Sequence, residues 1–563
     1  MRRTKIIATL GPACQEPSQI RRLMQNGADV IRLNQSHGQR QWHETAFTNV
    51  RREAEALGRP VAVMVDLQGP KMRIGSVAGG SARLDKGATV ALRYDPDAIS
   101  DSEAIFVPLA EIITDLTRND RVLLDDGNII LQVTSKSTGM ARARVVAGGI
   151  ISDNKGINLP GVDLSVPAVT EKDIRDLEWA MSAGAEYVAV SFVRTPEDVT
   201  RVRSVIHKAA SPLQVIAKIE KPEALEHIDE IAGVADGLMV ARGDLGVEMA
   251  LEKVPVAQEA IIDVAHRHDL PVIVATQMLE SMTDKPRPTR AEVSDVAGAI
   301  FGGTDAVMLS GETAVGRYPG ESVAQMASIA LEVESHMREG RSLRPVFSAS
   351  AIYATADAVC HGAYRAAGDL SAAAVFIATS SGRTALLFSK YRFAGSLVAA
   401  SDDEASVRRM ALYWGVVPVK VRKCRRHDRL LSEIVEAARE RKIVTTGDTV
   451  VFIAGWPLGK AGATNVMMVR RLKPTDAGSS ETPGRDVITG RAPRGDLRVD
   501  RRVCVLCGMC VGTCPVQIYR IDEGKVAFNR ANLKRCLADW QCRDRCPVDA
   551  ISLEGAAKGR KEK

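Results

Sequence analysis

Eight short runs rich in β-branched and other apolar residues recur along the chain: Lys5 to Leu10, Val30 to Leu33, Val61 to Leu67, Tyr187 to Phe192, Gln214 to Ile219, Gly237 to Ala241, Pro271 to Thr276 and Asp305 to Leu309. Amphipathic stretches such as Ser18 to Asn26, Glu171 to Ala183 and Val256 to His268 fill the intervals. Strand followed by helix, repeated eight times, predicts a closed parallel (β/α)8 barrel. Barrels of this kind build their active sites at the C-terminal ends of the strands, so the polar residues that end each run are the ones to read for chemistry.

One interval breaks the rhythm. From Arg73 to Asn158 short strand-like runs are broken by Gly79-Gly80, Asp95-Pro96, Asp125-Asp126-Gly127 and Gly148-Gly149, which predicts a small β domain inserted after the third strand. After Glu339-Gly340 the alternation resumes with Val375 to Thr379, Ser396 to Ala400, Val416 to Val421 and Thr449 to Ala454, as in a separate open α/β domain. Pro474 to Gly495 is rich in Gly, Ser, Thr and Pro and has no apolar periodicity, so it reads as a flexible tether. The expected organisation is a barrel from residues 1–72 and 159–340, an inserted β lid at 73–158, an α/β domain at 341–472, a linker at 473–497 and a cysteine-bearing module at 498–557.

A chain of 563 residues is too long for one core, and 45% hydrophobic with 26% charged residues excludes disorder. Only 4% of residues are aromatic and the net charge of +6 is scattered, which argues against a nucleic-acid partner. Met1-Arg2-Arg3 before Ile6-Ile7-Ala8-Thr9-Leu10 superficially resembles a signal peptide, but that apolar core is short and runs into Gly11-Pro12, so it reads as the first strand. No stretch reaches the length of a membrane helix, so no membrane partner is expected. Seven of the ten cysteines lie near the end of the chain, and Cys14, Cys360 and Cys424 are scattered singly, the pattern of a reducing cytoplasm.

Two strand ends carry the sharpest chemistry. Lys218 and Glu220 stand two residues apart at the end of one run, hence on one face. The following run ends in Ala241-Arg242-Gly243-Asp244, where Asp244 can complete a magnesium site with Glu220 and glycine permits close approach of the backbone. Pairing of each carboxylate with a nearby cation is the structural alternative. Further motifs are Arg32-Leu33-Asn34-Gln35-Ser36-His37-Gly38, Asp66-Leu67-Gln68-Gly69-Pro70-Lys71-Met72-Arg73, Ala275-Thr276-Gln277-Met278-Leu279-Glu280-Ser281-Met282 and Met308-Leu309-Ser310-Gly311-Glu312-Thr313.

Together these motifs resemble the pyruvate kinase family over residues 1–472. The resemblance implies a TIM barrel with an inserted β-barrel domain and a C-terminal open α/β domain. It implies Mg2+- or Mn2+-dependent phosphoryl transfer from phosphoenolpyruvate to ADP, giving pyruvate and ATP in the final step of glycolysis, by a homotetramer. Lys218 would stabilise the transferring phosphoryl group, Glu220 and Asp244 would hold the metal, and Arg32 and Arg73 would face phosphates. Lys155 would contact the nucleotide from the hinge of the inserted domain, with an ordinary surface role as the alternative, and Gly243 belongs to the same substrate-binding set. Thr276 would belong to the proton path to the enolate through water, with strand-end packing as the alternative.

Many relatives need potassium and have threonine, lysine and glutamate where this chain has Leu67, Gln68 and Lys71. A lysine ammonium supplies the unit charge of a monovalent ion, so activity without potassium is expected, although Asn34, Ser36 and Asp66 retain part of the cation-binding pattern. Thr379, Ser380, Ser381, Arg383 and Thr384, around Gly382, match the family's sugar-phosphate effector site and suit backbone capture of a phosphorylated metabolite.

The end of the chain holds Cys504-x2-Cys507-x2-Cys510-x3-Cys514-Pro515 and Cys536-x5-Cys542-x3-Cys546-Pro547, which resembles a bacterial two-cluster ferredoxin, a small α+β domain, except that Asp539 replaces one cysteine. Crossed ligation would place a 4Fe-4S cluster on Cys504, Cys507, Cys510 and Cys546. A 3Fe-4S cluster, or an aspartate-ligated 4Fe-4S cluster, would then sit on Cys514, Cys536, Cys542 and Asp539. Structural zinc is the alternative. An electron-transfer partner, a redox-sensing role and a purely structural appendage all remain open from sequence, and a different enolate-forming barrel enzyme such as an aldolase is the competing activity.

Overall fold

The computed structural model describes residues 1–70, 72–162, 164–338, 354–424, 426–458, 462–473, 487–492, 495–500, 510–511, 514–522, 525–536, 542, 546 and 550–554. The described chain divides into two compact units, Met1–Arg422 with Arg441–Leu472, and Lys423–Glu440 with Lys473–Lys563.

In the first unit eight parallel strands close into a barrel: Lys5–Thr9, Val30–Asn34, Ala62–Asp66, Tyr187–Val190, Gln214–Ile219, Gly237–Ala241, Val272–Ala275 and Ala306–Leu309. Each pairs with its neighbours in sequence order, and the first closes on the last through Lys5 to Ala8 against Ala306 to Leu309. Seven of the eight lie within the expected runs, and Val30–Asn34 extends one residue past its run. Along each strand the residues alternate between two surfaces, and all but Asn34 and Gln214 are buried. Ile6, Val63, Val188, Val215 and Val240 pack outward with helix residues such as Leu23, Val50 and Leu177, whereas Ile7, Met64, Ala189, Ile216 and Met239 fill the interior.

Local signals set the surrounding helices. Pro17 and Pro196 stand in the first helical turns of Pro17–Asn26 and Pro196–Lys208, where the missing N–H costs nothing. Thr170 and Thr289 cap Glu171–Ala183 and Arg290–Phe301 by reciprocal bonds with Asp173 and Glu292, and Gly184 at φ 77° ends the first of these.

The interval after the third strand is a β segment with its own core of Val90, Leu92, Ile105, Leu131, Val133, Ala141 and Ala143. The expected closed β-barrel is not what forms here. Strands Ile157–Asn158, Arg121–Leu124, Ile129–Ser137, Met140–Ala147, Thr89–Tyr94 and Ala104–Val107 make a six-stranded sheet in that order, beside a two-stranded ladder of Ser81–Leu84 and Gly149–Ser152. No ladder joins its two edges, Ile157–Asn158 and Ala104–Val107, so the sheet is open among the described residues.

A third layer of this unit is a five-stranded sheet in the order Val416–Lys420, Ser396–Ser401, Ala374–Ala378, Thr449–Gly455 and Thr464–Arg471. The first four are parallel, as expected. The last is antiparallel and was not anticipated, because only Thr464 of its residues is fully buried and its apolar alternation is weak.

The second unit contains helix His427–Glu440, a sheet of Val487–Ala492, Gly495–Asp500 and Ile551–Glu554, and the hairpin Tyr519–Asp522 with Lys525–Phe528. Part of the expected linker is thus a paired hairpin: Val487 to Ala492 lies against Gly495 to Asp500, and Leu497 and Val499 are buried. Glycine and serine in the flanking sequence masked a short β pattern that only pairing with Ile551–Glu554 completes. No helix among the described residues is long and apolar enough to cross a membrane.

Candidate active site at the barrel mouth

The interior phase of the strands turns polar at one end. Two residues beyond Ile7, Val30, Met64, Ala189 and Ile216 stand Thr9, Arg32, Asp66, Ser191 and Lys218, and Glu220 follows in the same phase. Their side chains therefore converge above the apolar plug of the barrel. Lys218 Nζ lies 2.7 Å from Glu220 Oε1 and 3.3 Å from Asp66 Oδ1, and donates to Ser191 Oγ at 2.7 Å. Ser191 passes its own proton to the Leu67 carbonyl at 2.8 Å. Arg32 Nε donates to Asp66 Oδ2 at 2.6 Å and its Nη1 to Thr9 Oγ1 at 3.1 Å.

Burial would lower the pKa of Lys218, but the carboxylates of Asp66 and Glu220 outweigh it and hold the ammonium above its ordinary value. Burial likewise would raise Asp66, yet Lys218 and then Arg32 keep it below the usual carboxylate range. Asp66, Glu220 and Ser191 thus hold the lysine in place as a cation.

Glu220 behaves differently. Burial raises its pKa, Lys218 opposes this, and the neighbouring Asp244 carboxylate adds to the rise. Its second oxygen accepts the Phe192 N–H at 2.8 Å. Asp244 stands in the first turn of helix Arg242–Glu248, directly after the sixth strand. Two carboxylates repelling each other in a buried mouth are a donor pair that fits a hard divalent cation retaining water or phosphate oxygens. No three His, Cys, Asp or Glu side chains among the described residues form a larger metal site.

Thr276, one residue past the seventh strand, has φ 67°, and Gln277 has φ 53°. Its Oγ1 accepts the Gly243 N–H at 2.7 Å and donates to the Ala275 carbonyl at 2.6 Å. A Cβ on Gly243 would stand 3.3 Å from that oxygen, so glycine is what lets the two loops meet.

Comparison with known proteins matches these elements to a family. Residues 1–323 match the pyruvate kinase barrel domain and residues 357–470 the pyruvate kinase alpha/beta domain. The chain belongs to the pyruvate kinase family. It is 44% identical over 468 residues to the pyruvate kinase of Methylorubrum extorquens, covering 83% of this chain and 97% of the relative. Identity to the pyruvate kinase of Geobacillus stearothermophilus is 41% over 471 residues, 83% of this chain and 80% of the relative. A crystal structure of a pyruvate kinase from Cryptosporidium parvum superposes with a TM-score of 0.77 at 31% identity, covering 84% of this chain and 96% of the other.

Around this pyruvate kinase mouth the β segment contributes a wall. One cleft is lined by Asp126, Gly156, Asn158, Phe192, Arg194, Lys221, Asp244 and Glu248, so Asp244 faces residues of the inserted segment. Asn158 Nδ2 donates to Glu248 Oε1 at 3.0 Å, and Glu248 lies 3.3 Å from Lys221 Nζ. Arg73 pairs as a β-bridge with Gly156 and donates to the Asn154 carbonyl at 2.7 Å. Lys155 is held by the Asp125 carboxylate within the same segment.

The monovalent-cation region is partly assembled. Asn34 Oδ1 accepts the Ser36 N–H at 3.1 Å, both Asp66 oxygens are engaged by cations, and Leu67 is buried among outward-facing barrel residues. Lys71 lies outside the described residues. In the α/β domain Thr379 Oγ1 accepts the Gly382 N–H at 3.1 Å, and Ser380 and Ser381 are exposed on that turn. Arg383 instead approaches Asp269 at 3.8 Å, and Thr384 is buried with its hydroxyl on Thr464 at 2.7 Å.

In the second unit Cys510 lies in one apolar core with Leu497, Val499, Ile518, Tyr519, Val526, Leu533 and Ile551, and Cys514, Cys536, Cys542 and Cys546 pack against it. Tyr519 donates to Cys542 Sγ at 3.3 Å. Cys504, Cys507 and Asp539 lie outside the described residues.

Sequence reasoning missed Ser191 and the double duty of Asp66. Phase places each on the interior face, two residues beyond an interior apolar residue, but only barrel closure brings them to Lys218.

Proposed function

We propose that Lys218, Arg32, Glu220, Asp244 and Thr276 carry this pyruvate kinase's reaction at the barrel mouth. The supporting observation is the buried Lys218 ammonium, fixed by Asp66, Glu220 and Ser191 on the side where Glu220 and Asp244 crowd together. Transfer of a phosphoryl group from phosphoenolpyruvate to ADP needs positioning and neutralisation more than covalent help, and a preorganised cation in a water-poor mouth supplies both. Glu220 and Asp244 would hold magnesium or manganese, which adds further positive charge at the phosphate oxygens when bound. Arg32 keeps its remaining N–H groups for phosphate while Nε and Nη1 fix its plane. Arg73 and Lys155 bring cationic side chains from the inserted segment, which closes over the mouth and limits hydrolysis.

Potassium is dispensable in this reading. Support comes from Asp66, whose oxygens are already neutralised, and from Leu67, which offers no side-chain oxygen. Rates in potassium-free and potassium buffers test it. The turn Thr379 to Gly382 receives a phosphorylated activator, tested by effector titration against phosphoenolpyruvate saturation. The homotetramer, tested by sedimentation, and a cytoplasmic location complete the reading.

The cysteine module carries a 4Fe-4S cluster on Cys504, Cys507, Cys510 and Cys546. A 3Fe-4S or aspartate-ligated 4Fe-4S cluster sits on Cys514, Cys536, Cys542 and Asp539, giving the enzyme a redox-sensing or electron-transferring appendage. Five of these cysteines gathered on one apolar core support such ligation. Iron and sulfide content with electron paramagnetic resonance on anaerobic protein tests assembly, and absence of iron contradicts it. Kinetics with the module oxidised, reduced and deleted distinguish redox control from a structural appendage.

A further inference from the structure

Thr276 and Gln277 are consecutive non-glycine residues at φ 67° and 53°, and for a β-branched residue that conformation is a true outlier. It persists only because its surroundings over-determine it. Arg242 Nη2 donates to the Thr276 carbonyl at 2.9 Å and to the Gln277 carbonyl at 3.1 Å. Arg242 Nη1 is held in turn by Asp295 Oδ1 at 2.6 Å, from helix Arg290–Phe301 after the seventh strand. The clamp is internal and its anchor external, since the Arg242 side chain is 10% exposed and that of Asp295 42%.

The Thr276 side chain is pinned as well. A hydroxyl has one proton and two lone pairs. The proton goes to the Ala275 carbonyl and one lone pair takes the Gly243 N–H, leaving one lone pair for a further donor.

We infer that Arg242, anchored by Asp295, is a positioning residue that holds Thr276 as a hydrogen-bond acceptor, so that Thr276 orients a water for protonation of the enolate instead of giving up its own proton. This rests on the proposed place of Thr276 in the proton path. A water donating one hydrogen to the remaining lone pair keeps its other hydrogen for the substrate carbon. The new C–H bond forms as the water O–H breaks, the water becomes hydroxide, and a solvent proton restores it.

Protonation can be read apart from phosphoryl transfer as the ATP-dependent exchange of pyruvate methyl hydrogens with D2O, followed by NMR. For Asp295→Asn and Arg242→Lys, exchange is expected to fall about tenfold more than ATP formation from phosphoenolpyruvate, because misplacing an oriented group costs this much or more. Asp295→Glu, which keeps the anchoring charge, is expected to restore exchange. Equal losses in both activities, or undiminished exchange in Asp295→Asn, would overturn the inference. Thr276→Val with wild-type exchange would instead remove Thr276 from the proton path, and the inference with it.

Discussion

Asp66→Asn preserves the shape of the side chain and removes the charge that Arg32 and Lys218 share. Asp66 is 1% exposed, with Oδ2 2.6 Å from Arg32 Nε and Oδ1 3.3 Å from Lys218 Nζ. Breaking a buried pair from one side costs about 3–5 kcal/mol, because the partner is left as an uncompensated charge. Glu220 still neutralises Lys218 at 2.7 Å. The lower end of that range, about 3 kcal/mol, is therefore expected. On a chain of 563 residues it lowers Tm by about 2–3 °C. The change also reaches the chemistry. Burial lowers the pKa of Lys218 while Asp66 and Glu220 raise it, so removing Asp66 brings that pKa down. Lys218 acts as a cation, and the variant therefore loses activity as pH rises through the lowered value, where the wild type is still active. Loosening a preorganised donor lowers kcat by about a hundredfold. Calorimetry and a coupled pyruvate assay across about pH 6 to 10 read both effects. An unchanged Tm, a kcat within about threefold of wild type and an unmoved alkaline limb would refute the reasoning.

Removal of either carboxylate by Glu220→Gln or Asp244→Asn should raise the half-saturating Mg2+ or Mn2+ concentration about tenfold or more, measured by metal titration of turnover and of Mn2+ paramagnetic resonance. On the proposed reading, in which the Lys71 charge replaces the ion, exchanging potassium for tetramethylammonium should leave kcat/KM within about twofold. His266 makes stability acid-sensitive. Burial, then Lys390 and Arg392, hold its pKa down to about 3, so between that value and the unfolded value of about 6.5 the unfolded chain binds the extra proton. Stability therefore falls as pH drops through this window, by up to about 1.4 kcal/mol per pH unit, and His266→Gln should flatten that slope in denaturant titrations.

The barrel was legible because a strand buried on both faces leaves a continuous apolar run, and each strand falls on its run, with only Asn34 extending past one. Lys218 and Glu220 were legible as a pair from their spacing. Their partners were not. Asp66 and Ser191 reach Lys218 from the third strand and from just beyond the fourth, and only barrel closure brings those ends together. The positive φ of Thr276 is equally invisible in sequence, because it is imposed by Arg242 and Gly243 from the neighbouring strand end. Thr464–Arg471 and the Val487–Ala492 hairpin escaped notice because edge strands carry little apolar alternation. Arg383 and Thr384 illustrate the converse: a motif at a helix start drew attention, yet these side chains turn to Asp269 and Thr464.

Lys218→Met tests the central claim most directly, since methionine fills a similar volume without the charge to which the proposed mechanism assigns phosphoryl transfer. Thermal unfolding establishes that the variant is folded, and ADP-dependent pyruvate formation is then compared with wild type under saturating Mg2+ and phosphoenolpyruvate. The account predicts a folded protein whose ATP formation falls by about a thousandfold or more. A folded variant that makes ATP at close to the wild-type rate would contradict it.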